Sequence, residues 1–188
     1  MTALDLGTRF LAATPTHEHR TPEQLRAWAR IALDFGDELA EEHPELPQLD
    51  IREKTGGKRS GEILLAEYHH RDHRVTLYRD SLDYAREVSA KRGVPIAPEK
   101  LRRAAIAHEV GHHLLHGPRT RELNRRLGHR VLRLRAHVAG ADELAVHRYA
   151  QRLSGLNPLL LNTFLTDALD EPRARSRRAG GAAEDTGG

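Results

Sequence analysis

Residues 98–118 read Pro-Glu-Lys-Leu-Arg-Arg-Ala-Ala-Ile-Ala-His-Glu-Val-Gly-His-His-Leu-Leu-His-Gly-Pro, and this stretch decides how the rest of the chain is interpreted. Proline suits the first turn of a helix and a Gly-Pro pair ends one, so the stretch predicts a single helix. Within it, His108, Glu109 and His112 form the pattern His-Glu-x-x-His. Histidines four residues apart lie on one helix face, where both can reach one metal ion. The stretch therefore predicts a metal-binding helix.

The motif needs support from its surroundings, because a chain of this length with 13 histidines matches it by chance roughly once in a dozen such sequences. The alternative is that His108 and His112 are ordinary polar residues on a solvated helix face. Apolar residues on that same face argue against the alternative: Leu101, Ala104 and Ala105. Glu109 is then placed to accept a proton from a water molecule that the metal activates.

A catalytic zinc usually takes three protein ligands, so one more must come from elsewhere. A metzincin is excluded, because Leu115 and Pro118 stand where that pattern needs Gly and His. His113 is turned about 100° around the helix from His112, and His116 lies too far along the helix axis. We therefore expect His113 and His116 to lie at the surface or to support the ligands from behind.

A second segment, residues 142–150, reads Asp-Glu-Leu-Ala-Val-His-Arg-Tyr-Ala. It predicts another helix, with Asp142 as N-cap and with Glu143 and His147 on one face. Glu143 is a candidate ligand or a solvated helix carboxylate. His147 is a hydrogen-bond donor to a developing oxyanion, a group that orients a ligand, or a plain surface histidine.

Together, residues 106–116 and 143–150 resemble the ImmA/IrrE family of zinc metallopeptidases. The second helix of that family reads approximately Glu-x-x-Ala-Asn-x-Phe-Ala, and aligning Tyr149-Ala150 with Phe-Ala puts the family's third ligand on Glu143. The resemblance covers roughly residues 60 to 160. It implies one Zn²⁺ per chain, held by three side chains: His108, His112 and Glu143.

The resemblance also implies a function, although Val146 and His147 stand where the family has Ala and Asn. The expected activity is that of a zinc-dependent metalloendopeptidase, with Glu109 and His147 as candidate catalytic residues. The expected substrate is a protein or peptide, with a DNA-binding repressor or an antitoxin-like protein as examples. The alternatives are a zinc-binding interaction or nucleic-acid-associated module and a degenerate zincin without protease activity. Two histidines and one carboxylate also suit manganese or iron.

Composition bounds the class of protein. The chain has 188 residues, 38% of them hydrophobic, and no cysteine, which predicts one domain without disulfides or cysteine metal sites. Neither a signal peptide nor an apolar run of about 18 residues is present, so we expect a cytoplasmic protein with no membrane partner. The net charge is +3 and the pI about 9.5. Arginine is dense in residues 119–135, but such runs are usually solvated helix faces. Because no aromatic residues are interleaved with the arginines, we do not expect direct nucleic-acid binding.

The predicted fold class is α+β, a mostly helical zincin-like domain with a small β-hairpin or sheet beside the His-Glu-x-x-His helix. The expected single domain spans residues 1–170, with a helix over 21–43 and the metallopeptidase core over 60–160, followed by a disordered tail over 171–188.

Within that core, residues 54–61 predict a flexible loop, and 62–68 with 73–78 predict the hairpin. We expect the hairpin to offer an edge strand to an extended substrate. His69, His70 and His73 at its turn are read as a polar turn rather than a metal site. Residues 119–135 are either a basic helix or a flap over the cleft.

Overall fold

The computed structural model describes residues 1–17, 19–59, 62–131 and 134–181, without the side chains of 131–135 and 171–181. Within these ranges the chain forms seven α-helices: α1 Ala3–Ala12, α2 Pro22–Glu42, α3 Arg79–Lys91, α4 Pro98–Leu115, α5 Pro118–Leu127, α6 Ala141–Ser154 and α7 Pro158–Gly181. The strands are short: β1 Asp50–Lys54, β2 Lys58–Arg59, β3 Glu62–Ile63, β4 Ala66–His69, β5 Arg74–Tyr78, β6 Arg130–Val131 and β7 Leu134–Arg135. The predicted α+β, mostly helical fold class is confirmed.

Helices α2, α4 and α6 form the centre of the fold, and the sequence predicted all three. Helix α2 begins where Thr21 accepts a hydrogen bond from the Gln24 backbone N–H at 3.2 Å. The N-cap predicted for α6 was wrong: Gly140 caps it in the left-handed conformation, with φ 79°, and Asp142 lies inside the first turn. Glycine adopts positive φ without the steric cost that another residue would carry.

Close approach of these helices depends on two glycines. A Cβ on Gly36 of α2 would lie 2.4 Å from the carbonyl oxygen of Ala145 in α6. A Cβ on Gly111, inside the His-Glu-x-x-His motif, would lie 3.1 Å from side-chain atoms of Val146 and Tyr149. Helix α6 therefore packs at short range against both α2 and α4. This packing brings the Glu143 carboxylate of α6 to the histidines of α4.

The main sheet has the order β1-β5-β4. The hairpin of β4 and β5 was predicted, and its register pairs Tyr68 with Val75. Strand β1 was not predicted; it pairs in parallel with β5, so β5 is central and β4 lies at an edge. The flexible loop was predicted over residues 54–61, of which Lys58–Arg59 form β2 and 60–61 lie outside the described residues. Asp80 accepts hydrogen bonds from the backbone N–H groups of Gly56, Gly57 and Lys58 at 3.0 to 3.3 Å.

Residues 118–127 of the arginine-rich segment form a packed helix, so the basic-helix interpretation holds for this part. Helix α5 ends at Gly128, which is left-handed with φ 65°, and the strand pair β6–β7 follows. The carbonyl of Leu127 accepts a hydrogen bond from Trp28 Nε1 at 3.1 Å, which ties α5 to α2. Arg126 pairs with Glu38 at 2.6 Å. Residues 132 and 133 lie outside the described residues.

A helix lies near each end of the described chain. Helix α1 was not predicted, although Thr2 and Asp5 form a reciprocal capping box at its start. Helix α7 extends to Gly181 and so overlaps the first part of the tail predicted over 171–188, whose disorder stays a prediction. Residues 182–188 lie outside the described part. None of the helices in the described ranges is long and apolar enough to cross a membrane.

Candidate metal centre

Three side chains from two helices converge on one point. Nε2 of His108 lies 3.2 Å from Oε1 of Glu143, and Nε2 of His112 lies 3.1 Å from Oε2 of the same carboxylate. The two Nε2 atoms are 3.1 Å apart. The four-residue spacing on α4 sets the imidazole pair, and the first turn of α6 supplies the carboxylate opposite.

These distances fit a tetrahedral metal ion. Ligand bonds of about 2.0–2.2 Å at tetrahedral angles separate neighbouring ligand atoms by about 3.3–3.5 Å. The distances among His108, His112 and Glu143 are a few tenths of an ångström shorter. Two imidazoles and one carboxylate also leave the fourth tetrahedral position free, which is the pattern of catalytic rather than structural zinc sites.

The electrostatics favour the metal-binding form of Glu143 and His108, but not of His112, whose proton a metal ion would have to displace. Burial by itself raises the pKa of Glu143, but the hydrogen bond from His112 and the nearby imidazoles outweigh it and lower the pKa to about 2. Burial lowers the pKa of His108 to about 3. The contact with Glu143 raises the pKa of His112. Near neutral pH the carboxylate is thus charged and His108 is neutral, as metal ligation requires.

Glu109 lines the same cavity as His108 and Glu143 and also reaches the sheet. Its Oε2 accepts a hydrogen bond from the backbone N–H of Tyr68 at 3.1 Å. Burial raises the pKa of Glu109 to about 7, against the opposing effects of His112 and of that hydrogen bond. A carboxylate with a pKa near the working pH, next to a metal site, has the properties of a general base.

The edge strand β4 presents backbone groups to the same cleft. The Tyr78 N–H donates to the carbonyl of Leu65 at 3.0 Å, so antiparallel alternation leaves Ala66 and Tyr68 at non-hydrogen-bonded positions relative to β5. Their N–H and C=O groups therefore point outward, and the Tyr68 N–H meets Glu109 there. The predicted edge strand beside the metal helix is present.

His147 is buried, so the surface interpretation is wrong. Its Nε2 lies 3.3 Å from Oε1 of Glu143, and its ring packs edge-on against Phe10. Burial lowers the pKa of His147, which favours the neutral ring. One ligand atom each from His108, Glu143 and His147 lie within 4.8 Å of one another, so His147 is also close enough to join a metal site.

An apolar cavity of about 210 Å³ adjoins the metal centre. Glu109 and His147 form part of its polar side. Its apolar side comes from the strands and from α4 and α7: Ile63, Leu65, Leu101, Ala104, Leu161 and Leu165. The cavity has room for an apolar side chain immediately beside Glu109 and His147.

His113 and His116 lie outside the triad, as expected, and are exposed. Both approach His70 in the turn between β4 and β5. Partial burial lowers the pKa of His113, and repulsion from the neighbouring imidazoles lowers it further. His69 instead contacts Thr76 at 3.1 Å, and His73 contacts the Tyr68 hydroxyl at 3.1 Å.

Comparison with known proteins yields no match: no family model fits the chain, and no curated protein or solved structure matches it. The likeness to the ImmA/IrrE family therefore stays a resemblance carried by the residues of α4 and α6.

Sequence reasoning missed two contributors to the site. Phe10 packs on His147, and the signal that could have identified its helix is the Thr2 and Asp5 capping pair. The apolar cavity was missed because Leu161 and Leu165 belong to α7, whose position relative to α4 no local pattern reveals.

Proposed function

We propose that this protein is a zinc-dependent metalloendopeptidase. The observation that carries the proposal is the convergence of His108, His112 and Glu143 at 3.1 to 3.2 Å beside the half-buried Glu109. Bound there, zinc would polarise a peptide carbonyl and lower the pKa of a water molecule towards about 7. The two-His, one-carboxylate arrangement agrees with the resemblance to ImmA/IrrE peptidases.

The proton transfers fall to Glu109. In its unprotonated form it accepts the proton of the attacking water, and as the acid it delivers that proton to the leaving amine. A pKa near 7 suits both roles, since neither transfer is then strongly uphill. His147 is a positioning residue in this proposal: a proton on Nε2 bonds Glu143 Oε1, which leaves buried Nδ1 without a partner among the described atoms.

The cleft favours an extended peptide with an apolar residue beside the cleaved bond. The outward backbone groups of Ala66 supply a donor and an acceptor for strand addition. The neighbouring cavity would receive an apolar side chain against Leu101 and Leu161. The resemblance further suggests a regulatory protein substrate, such as a DNA-binding repressor or an antitoxin-like protein. A cytoplasmic location stays a prediction from the sequence.

The alternative, a zinc-containing module that binds nucleic acid or an acidic protein, relies on the arginines of α5. Arg119 pairs with Glu42 and with Glu122, and Arg126 pairs with Glu38 and Glu122. The charges of Arg119 and Arg126 are thus offset within the protein, which weakens their attraction for the phosphates of a nucleic acid.

The test is digestion of a peptide library by the zinc-loaded protein, with products read by mass spectrometry. We expect cleavage next to apolar residues, at least 100-fold less in Glu109→Gln with zinc content unchanged. Glu99→Gln, an exposed change in the first turn of the same helix, is the control and should cleave normally. Absence of cleavage by wild type, or cleavage that survives Glu109→Gln, overturns the proposal.

A further inference from the structure

A second group of histidines lines another cavity, which also touches Glu109 and His112 of the candidate metal centre. His70 belongs to the turn between β4 and β5, whereas His113 and His116 lie at the C-terminal end of α4. Nδ1 of His70 and Nδ1 of His113 are 3.2 Å apart. The ring centroids of His70 and His116 are 6.4 Å apart. Two elements that are distant in sequence thus bring three imidazoles together.

The spacing of the facing nitrogens matches that of two ligands on one ion. Adjacent ligand atoms of a tetrahedral zinc are separated by about 3.3–3.5 Å, close to the 3.2 Å between His70 and His113. A similar distance, 3.1 Å, separates Nε2 of His108 from Nε2 of His112 in the primary triad. A neutral His–His hydrogen bond would also account for the 3.2 Å pair, and the titration below separates that hydrogen bond from a metal site.

The surroundings hold the rings in place and leave room for an ion. The Tyr68 ring packs against both His70 and His113, with centroid distances of 5.1 and 5.0 Å. All three histidines line an open cavity of about 330 Å³ that also contains His112. An ion and its water ligands can therefore enter from solvent.

We propose that His70, His113 and His116 form a second metal site, for a transition-metal ion of the zinc type. Three imidazoles select zinc, copper or nickel over magnesium or calcium, which prefer oxygen ligands. The ion joins the β4–β5 turn to the end of α4. It thereby clamps the edge strand against the helix that carries Glu109.

The clamp stands apart from the proposed peptidase activity, because it needs only the fold and these three side chains. It predicts an effect on stability, since a ligand that binds only the folded state stabilises it by mass action. Zinc should therefore raise the melting temperature through this site even when the primary site has been removed.

The experiment is calorimetric titration of the metal-stripped full-length chain with Zn²⁺. We expect two zinc ions per wild-type chain and one in His70→Gln or His113→Gln. The control His19→Gln, an exposed histidine between α1 and α2, should bind two. In His108→Ala/His112→Ala, one zinc should remain and raise the melting temperature, and adding His70→Gln should remove both effects.

The outcomes separate this proposal from the peptidase proposal. One zinc per wild-type chain, lost in His108→Ala/His112→Ala, overturns the second site and leaves the primary site intact. Two zinc ions that persist in both His70→Gln and His113→Gln also overturn it. Circular dichroism of each variant identifies loss of fold; because His70 lies in an exposed turn, His70→Gln keeps the test decisive if an α4 variant unfolds.

Discussion

Nε2 of His147 lies 3.3 Å from Oε1 of Glu143, one helical turn away on α6. The same carboxylate faces His108 and His112, so it is held between two imidazoles of α4 and one of its own helix. A buried group that hydrogen-bonds to a metal ligand and orients it affects metal affinity as well as catalysis.

His147→Leu removes the contact with Glu143 and fills the buried position with an apolar side chain. We expect zinc affinity to fall about 10- to 100-fold, which is typical for loss of a residue that orients a ligand. His147→Asn keeps a hydrogen-bond donor and should lose less. Competition with a chromophoric chelator measures both. Unchanged affinity with a reduced kcat would instead assign His147 to oxyanion stabilisation, the other catalytic role that the sequence predicted.

The pH dependence of cleavage should follow Glu109. Burial raises the pKa of this carboxyl to about 7 in the protein without metal, and a nearby cation favours the carboxylate and so lowers that value. The base acts unprotonated, so kcat/KM should rise with pH along an acid limb whose midpoint lies at or below about 7. A profile that falls between pH 5 and 7 would contradict this assignment.

Gly36→Ala tests the close contact of α2 with α6. The added methyl would meet the Ala145 carbonyl at 2.4 Å and Arg148 Cβ at 2.7 Å, so the helices must separate. We expect a loss of about 1–3 kcal/mol in the free energy of unfolding, despite the better helix propensity of alanine. Urea denaturation measures it, with Arg30→Ala on the exposed face of α2 as control. Equal stability of the two variants would refute tight packing here.

Asp80 should make stability depend on acid. Partial burial raises its pKa, but the three backbone N–H groups of the 56–58 loop outweigh burial and hold the pKa below its usual value. A lowered folded-state pKa gives stabilisation that is present above the unfolded pKa and is lost as pH falls through the folded value. Wild type should exceed Asp80→Asn in stability at pH 6, and this difference should shrink as pH falls below 4. A constant difference would count against the interaction.

The metal helix could be predicted from sequence because its determinants are local. The four-residue spacing of His108 and His112 and the proline at the start of α4 are both visible in one stretch. The position of Glu143 opposite them depends on tertiary packing at Gly111, so only the resemblance selected that residue. In the structure its carboxylate lies 3.2 Å from His108 and 3.1 Å from His112.

Other parts could not be predicted, because their partners are distant in the chain. Strand β1 has every residue exposed and no alternating apolar pattern, and only its pairing with β5 makes it a strand. The burial of His147 depends on Phe10, which lies more than 130 residues earlier. The contact between His70 and His113 likewise forms only when the β4–β5 hairpin packs against α4.

Zinc binding by His108, His112 and Glu143 is tested most directly by metal content, measured by plasma mass spectrometry on the chain purified without added metal. Because the second site depends on His70, the measurement is made in His70→Gln, alone and combined with Glu143→Ala. The control combines His70→Gln with Asp142→Ala, which removes the neighbouring carboxylate in the same helical turn. We expect about one zinc per chain in His70→Gln and in the control. Adding Glu143→Ala to His70→Gln should remove most of that zinc. Full zinc retention without Glu143, or a chain that cannot be loaded with zinc, would contradict it.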